Sequence, residues 1–326
     1  MIRAFRRPAA CRLAFIPAAL AVAIGSAAAQ EWPTRTIRMV VPLTAGSAVD
    51  IVPRIVLEQV STQIGHTIVV DNRTGASGTI GTRAVATAAP DGYTLLAHSS
   101  ALVISPLTVA NAHYDAVKDF VAIAPLGNLP NVLVIAPAKN IHTAQELVAA
   151  ARKRPVTFGV AGFGTPIYFT TEKFRLAAKF PAEPIPFRGA PEVLTEVMTG
   201  RVDFYYAPVS AALGFIRDGK LTALTVSSAQ RSLALPDVPT SLEAGYPNSD
   251  FNFWIGVFAP AGAPPSIVEK LNREIGKALR VPAVREKLAV QGVDPMEMDT
   301  AAFGRFVKDE VASATELAKV LDLKPN

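Results

Sequence analysis

The sequence predicts two α/β lobes, each built on a mainly parallel sheet flanked by helices, and three observations carry this expectation. Short apolar runs rich in β-branched residues alternate with helical patterns along most of the chain, the signature of parallel sheets covered on both faces. Two loops of small residues, near 44–48 and 159–166, each lead from a strand into a helix start. The series restarts near Asn128 and breaks near Asp250, so the expected lobes are 30–128 plus 250–326 and 129–249.

The chain has 326 residues, half of them hydrophobic, enough for two domains with cores of their own. Residues 1–29 carry Arg3, Arg6, Arg7 and Arg12, an apolar run over 13–24, and Ala27-Ala28-Ala29 before Gln30. A charged region, an apolar region too short to span a bilayer and a small-residue cleavage site together read as a secretory signal peptide, removed before Gln30. Arg6-Arg7 is compatible with twin-arginine export, and general secretion is the simpler reading. The whole chain is formally +5 and its leader holds four arginines and no acid, which leaves the remainder near +1. Nucleic-acid binding thereby loses its electrostatic support. Cys11, the one cysteine, also lies in the leader, so no disulfide or thiolate chemistry is expected and a periplasmic location fits.

Taken in order, Ile37, Val40 and Val41 form a strand, Gly46 a tight loop, and a helix begins near Val49 or Asp50 with Pro53 close to its start. The first N–H groups of a helix lack partners and carry the positive end of its dipole, so an anion is stabilised there without a charged side chain. Taken alone, the stretch is an ordinary strand-to-helix connection. A strand over 67–70 runs into a loop with Gly75, Gly78 and Gly81, and a helix over 82–88 follows. Those glycines let the backbone approach a neighbour or ligand closely. Pro90-Asp91-Gly92 is a turn before a strand over 93–97, whose end, His98-Ser99-Ser100, faces the same side as the first loop. Beyond Asn131 come a strand over 132–136, a capping box of Thr143 and Glu146, and a strand over 157–160. Thr165 is a good N-cap and Pro166 suits the first helical position. Strands over 185–187, 202–206 and 221–226 then alternate with helices over 192–198 and 209–217. Thr240 and Glu243 predict a short capped helix, 251–258 a strand, and Ser266 with Glu269 a boxed helix to 279. Helices over 283–290 and 301–321 close the chain.

Motifs for chemistry are few. The glycines of 159–164 are spaced G-x-x-G-x-G, no acid ends the following strand, and no Lys-Ser or Lys-Thr follows a glycine loop, which argues against nucleotide binding. His66, His98, His113 and His142 share no metal-ligand spacing and read as surface or turn residues. Ser47 lacks the glycines of a nucleophile elbow. Asp50 and Asp203 are carboxylates that capping and strand-end roles explain. What remains is small-residue loops rich in backbone donors, a pattern for binding rather than catalysis. No cofactor or metal is expected.

Four segments, 37–54, 70–96, 159–166 and 236–265, carry a resemblance to the substrate-binding proteins of tripartite tricarboxylate transporters, the Bug receptors. They include Asp71-Asn72-Arg73, Pro90-Asp91-Gly92-Tyr93, Pro236-Asp237-Val238-Pro239-Thr240 and Phe258-Ala259-Pro260-Ala261-Gly262. The resemblance implies a type II-like periplasmic binding protein fold, two mixed and mainly parallel lobes closing on one small carboxylate. It departs from the family where Thr44-Ala45-Gly46-Ser47 replaces Pro-Pro-Gly-Gly, Phe163 an asparagine, Ile167-Tyr168 a Ser-His, and Ala207 an aspartate.

The expected function is capture of a small carboxylate in an interlobe cleft for delivery to the integral-membrane permease subunits of such a transporter, by a monomer and without turnover. The alternatives are a ligand sensor for a signalling partner and an α/β enzyme using Asp50 or Asp203 as a base. The expected ligand residues are Leu43, Thr44, Ala45, Ser47, Ala48 and Ser99 in one lobe. Gly162, Phe163, Gly164, Thr165, Arg188, Gly189 and Ala207 complete the set in the other. Phe163, Ile167, Tyr168, Phe187 and Tyr205 predict a pocket for a carboxylate with an aromatic or apolar body. Loss of the aspartate at Ala207 makes amino acids poor ligands.

Overall fold

The computed structural model describes residue 1 and residues 32–325 other than Ala161 and Gly164. The expected leader, Met1 apart, lies outside the described residues. Strand β1 (Ile37–Val41) buries Ile37, Met39, Val40 and Val41 almost completely, as a parallel strand covered on both faces must. It lies parallel to and between β2 (Ile68–Asn72) and β3 (Thr94–Ser99). Strand β10 (Trp254–Pro260) runs antiparallel between β3 and β4 (Phe120–Asn128), and β11 (Asp294–Pro295) edges β4. The order is β11-β4-β10-β3-β1-β2.

In the second lobe β5 (Asn131–Ile135) is antiparallel to both β8 (Tyr205–Pro208) and β9 (Thr222–Val226). Strands β6 (Thr157–Val160) and β7 (Glu183–Pro186) are parallel. A bridge between Phe158 and Phe204 joins β6 to the β8 side, so the strands read β7-β6-β8-β5-β9. Both sheets therefore follow one plan. Three parallel strands come first, then one of opposite direction that has just arrived from the other lobe, then one about to leave. The carboxyl ends of β1 and β3 correspond to those of β6 and β8.

Helix α1 (Ala48–Ile64) buries Val49, Val52, Val56 and Val60, an i, i+3, i+4 stripe worth roughly 1.5–3 kcal/mol per fully buried side chain. With α8 (Pro265–Arg280) and α9 (Pro282–Val290) it covers one face of the first sheet. Helix α2 (Thr79–Ala86), α3 (Ala101–Thr108) and α10 (Thr300–Val320) complete this lobe. Around the second sheet lie α4 (Ala144–Ala151), α5 (Pro166–Ala178), α6 (Ala190–Met198) and α7 (Val209–Arg217). One apolar cluster is continuous between lobes, from Trp254, Phe258 and Phe303 to Phe158, Phe169 and Phe204.

Two crossovers join the lobes. Strand β4 runs through Leu129-Pro130 into β5, and β9 returns through residues 227–253 into β10. They are tied side by side, with the Leu129 N–H donating to the Phe253 carbonyl at 2.8 Å and the Ser227 N–H to that of Asn131 at 2.8 Å.

Several local expectations are corrected. Between residues 101 and 128, where the sequence suggests no element, lie helix α3 and strand β4, apolar runs that each contain a proline, Pro106 and Pro125. Pro125 is tolerated in a central strand because the register against β10 slips between Ile255 and Gly256, a bulge that spares a ladder bond. Thr240 and Glu243 do make their reciprocal bonds, at 3.0 and 2.8 Å, but no helix follows. Gly245, at φ +88, and Pro247 end the segment after one turn. Helix α8 starts on Pro264-Pro265 rather than on a Ser266–Glu269 box, since Pro264 is its N-cap and its carbonyl accepts from Ile267 and Val268. Pro53 lies in the second turn of α1, where it removes one helical bond. His98 is not a surface residue; it is fully buried in β3.

Candidate functional site

The loop from β1 to α1 leaves Thr44, Ala45 and Gly46 exposed and Leu43, Ser47 and Ala48 half-buried. Gly46 takes φ +83, open to glycine without a Cβ penalty. Ser47 is the N-cap of α1 yet makes no capping bond, and its buried hydroxyl has no partner. Asp50 braces the loop instead. It accepts from the Gly46 N–H at 2.9 Å, from Arg54 Nε at 2.9 Å and from Asn72 Nδ2 at 3.0 Å. Asn72 Nδ2 also donates to the Leu43 carbonyl at 3.0 Å. Burial works to raise the Asp50 pKa, and the bonds from Gly46, Asn72 and Arg54 outweigh it, so the carboxyl sits below its ordinary value. Arg54 balances that charge, while the Ala48 and Val49 N–H groups have no acceptor within the helix.

Next to this loop lies the end of β3. Ser99 is buried and its hydroxyl accepts from the Ala101 N–H at 3.3 Å. Ser100, the N-cap of α3, is fully buried with an unpartnered hydroxyl. His98 Nδ1 accepts from the Ser99 N–H at 2.8 Å, which leaves the proton on Nε2. Burial pushes its pKa down to about 3, so the ring is neutral.

In the second lobe the loop after β6 holds Gly162 at φ +109. Thr165 caps α5, accepting from the Tyr168 N–H at 3.3 Å and donating to the Gly162 carbonyl at 2.9 Å. Gly164 lies outside the described residues. Phe163 is 56% exposed, edge-on to Tyr168 with ring centroids 5.5 Å apart. After β7, Arg188 is exposed and its N–H donates to Glu192 at 3.1 Å, while Gly189 is the half-buried N-cap of α6. Ala207 is fully buried in β8. The expected residues thus fall at the carboxyl ends of adjacent strands in each lobe, β1 with β3 and β7-β6-β8. The aromatic wall is different from expectation. Tyr205 is fully buried with Val132 and Val193, Phe187 and Ile167 pack on that same cluster, and Tyr168 is buried, leaving Phe163 as the exposed ring.

Residues 75–78, where the glycines suggest close backbone approach to a neighbour or ligand, are outside the expected ligand set and follow β2 beside the first loop. Gly75, Ala76, Ser77 and Gly78 all have positive φ, between 44° and 124°. Ala76 and Ser77 bear a strain that glycines would not. A Cβ on Gly78 would lie 3.4 Å from the Pro42 carbonyl and 3.7 Å from His98 Nε2. The three glycines were the available signal. A separate groove of about 510 Å³, lined by Asn128, Gln230, Arg285, Asp294, Met296 and Met298 among others, involves none of the expected ligand residues.

Asp203, the other carboxylate considered for catalysis, is an anchor. It accepts from Lys139 Nζ and Arg154 Nη2, both at 2.7 Å, and from the Thr157 N–H at 2.9 Å. Burial opposes these bonds, which nonetheless hold its pKa down to about 2. Among the described residues, no cluster of His, Cys, Asp or Glu could hold a metal ion.

Two sheets of one plan, joined by paired crossovers, make the two-lobed fold that a solved periplasmic binding protein, BugD, shares with this chain at 29% identity and a TM-score of 0.71 over 90% of this chain and 100% of that one. The sequence matches the tripartite tricarboxylate transporter family receptor over residues 52–323, and the chain belongs to that family. It is 35% identical to protein BugT of Bordetella pertussis over 287 residues, 87% of this chain and 88% of that one. A solved R. palustris protein with adipate is 29% identical, with a TM-score of 0.74 over 91% of this chain and 100% of that one. A TctC solute binding protein from Polaromonas, solved with no ligand, is 25% identical, with a TM-score of 0.81 over 88% of this chain and 99% of that one. Members of this family are solute-binding receptors, and the chain is a receptor rather than an enzyme.

Proposed function

We propose that this receptor captures a small carboxylate in the periplasm, between lobes 30–128 plus 250–326 and 129–249, and acts as a monomer. It then delivers the ligand to the membrane subunits of a tripartite tricarboxylate transporter. The observation that carries the reading is the paired loops at 44–48 and 162–165, each ending at a helix N-terminus at corresponding strands of the two sheets. A carboxylate there gains unpaired N–H donors and the helix dipole from both sides. Ser99 and the Arg188-Gly189 loop flank those termini at neighbouring strand ends. Binding of adipate by the R. palustris relative supports a ligand of this class.

The exposed ring of Phe163 supports the finer part of the reading, a carboxylate with an aromatic or extended apolar body. Burial of such a body is worth roughly 25 cal/mol per Å² before ordering costs. Closure is a population shift set by the ligand's better contacts in the closed state. The test is a melting screen of adipate, malate, succinate, citrate, aspartate and benzoate on the protein without its leader. At about 100 times its dissociation constant a true ligand adds roughly 2.7 kcal/mol and is recovered unchanged. No shift with any carboxylate overturns the ligand class, and a larger shift with aspartate or citrate than with benzoate and adipate overturns the finer part.

A further inference from the structure

Helix α5, whose N-terminus carries the 162–165 loop, is mounted on both crossovers. Its Thr170 is fully buried, and Asn131 Nδ2 donates to the Thr170 hydroxyl at 3.3 Å. Asn131 is the first residue of β5, where the outgoing crossover enters the second lobe. One residue earlier on the helix, the Phe169 ring meets that of Phe251 from the returning crossover, with centroids 6.4 Å apart. Both attachments share one anchor, because the Ser227 hydroxyl accepts from the Asn131 N–H at 3.2 Å and donates to the Phe251 carbonyl at 3.0 Å.

The Thr170 hydroxyl also reaches the other end of this arrangement. It donates to the Pro166 carbonyl at 2.9 Å, and Pro166 follows Thr165, the N-cap, whose own hydroxyl donates to the Gly162 carbonyl at 2.9 Å. A hydroxyl has one proton and two lone pairs. The proton of Thr170 goes to Pro166, which leaves a lone pair for Asn131, so both bonds hold at once. Back-bonding of a helical threonine to the carbonyl four residues earlier is ordinary, and Thr82, Thr171, Thr195 and Thr315 all do it. Among the described residues, Thr170 is the one of these that also accepts from another element. With Asn131 2% exposed and Thr170 not exposed at all, bulk water does not replace either bond.

We propose that Thr170 is a positioning residue for ligand capture. With Asn131 it fixes the 162–165 loop to the crossovers, so the loop's N–H groups are held in place before the ligand arrives and turn with the crossovers when the lobes move. Having no exposed surface, Thr170 acts through Pro166 and Thr165 rather than by touching the ligand. Without the link a ligand must order the loop as it binds, and that cost lowers its affinity. The effect on affinity rests on the carboxylate reading above; the fixing of the loop does not.

Thr170→Val keeps the shape and removes the hydroxyl, whereas Thr170→Ser keeps the hydroxyl and removes a methyl. Both cost stability at a buried position, so together they separate packing from positioning. In the ligand-free protein, amide hydrogen exchange over residues 162–169 is expected to be faster in Thr170→Val and in Asn131→Ala and to match the parent in Thr170→Ser. Where Asn131→Ala fails to fold, Asn131→Asp, which removes the donor at nearly unchanged size, takes its place. Calorimetry with adipate is expected to give affinity roughly fivefold weaker in Thr170→Val and in the Asn131 variant, no further loss when the two are combined, and parental affinity in Thr170→Ser. Exchange unchanged in Thr170→Val overturns the fixing of the loop. Exchange raised by Thr170→Val and not by the Asn131 variant confines the hydroxyl to its own helix and overturns the link to the crossovers. Affinity that falls in Thr170→Ser as it does in Thr170→Val overturns the positioning role in favour of packing. Absence of adipate binding by the parent counts against the carboxylate reading, and the exchange result then judges the link.

Discussion

Asn131 and Ser227 bond to each other in both directions: the Ser227 N–H donates to the Asn131 carbonyl at 2.8 Å, and the Asn131 N–H to the Ser227 hydroxyl at 3.2 Å. That hydroxyl also donates to the Phe251 carbonyl at 3.0 Å. Ser227 therefore stitches one crossover to the other from a fully buried position. Ser227→Ala leaves a buried N–H and a buried carbonyl without this partner and is expected to cost about 1–3 kcal/mol in denaturant unfolding. A loss below a few tenths of a kcal/mol would show that the pairing holds without the side chain.

Asp203 is expected to link stability to acid pH. Its carboxyl is held down to about 2 from an ordinary 3.8, so the pairing contributes fully above about pH 4 and is lost as pH falls through about 2. Shifts of this size correspond to about 2 kcal/mol. Asp203→Asn should be less stable than the parent at neutral pH by that order, and the gap should narrow between about pH 4 and pH 2. A gap independent of pH would rule out the charge as its source.

Gly162 reaches φ +109, and a Cβ there would meet Thr165 Cγ2 at 3.2 Å. Gly162→Val is expected to lower the melting free energy of the unliganded protein by only about 1 kcal/mol, a local strain cost. It should also abolish the stabilisation given by whichever carboxylate binds. Undiminished ligand-induced stabilisation would remove the second-lobe loop from the proposed site.

Phe163 carries little of the fold, being 56% exposed. Phe163→Ala should leave unfolding within about 0.5 kcal/mol of the parent. Its expected effect is on selectivity, measured by calorimetry: affinity for benzoate or adipate falls more than affinity for malate. Equal losses for all three would mean that the ring shapes the loop rather than the ligand's surroundings.

Much of the architecture was legible in the chain because it depends on near neighbours. The Thr143–Glu146 box, the Thr165 cap followed by Pro166, and the span of α7 all appear where spacing and residue type placed them. The alternation of strands and helices also suffices for a mainly parallel sheet, since a parallel return needs a crossover helix. The two small-residue loops of the proposed site are legible as loops for the same reason: each is a strand end and a helix start contiguous in sequence.

The decisions left to tertiary structure concern partners far apart in the chain. Pro125 is accommodated within β4 because β10 supplies a bulge opposite it, and Thr240 promises a helix until Gly245 turns the chain. Whether Tyr205 or Phe163 meets solvent depends on which face of each sheet is covered, a matter of packing between elements. The same holds for His98, a polar residue buried whole in β3, its Nε2 within 3.7 Å of where a Cβ on Gly78 of a distant loop would lie. Glu310 is the clearest case. On α10 it is one acid beside another, and only the packing of distant segments over it gives its carboxyl a bond from Trp254 and the burial that pushes its pKa up to about 7. Short-range pattern sets where elements begin and end, whereas burial and charge are sums over neighbours that folding alone brings together.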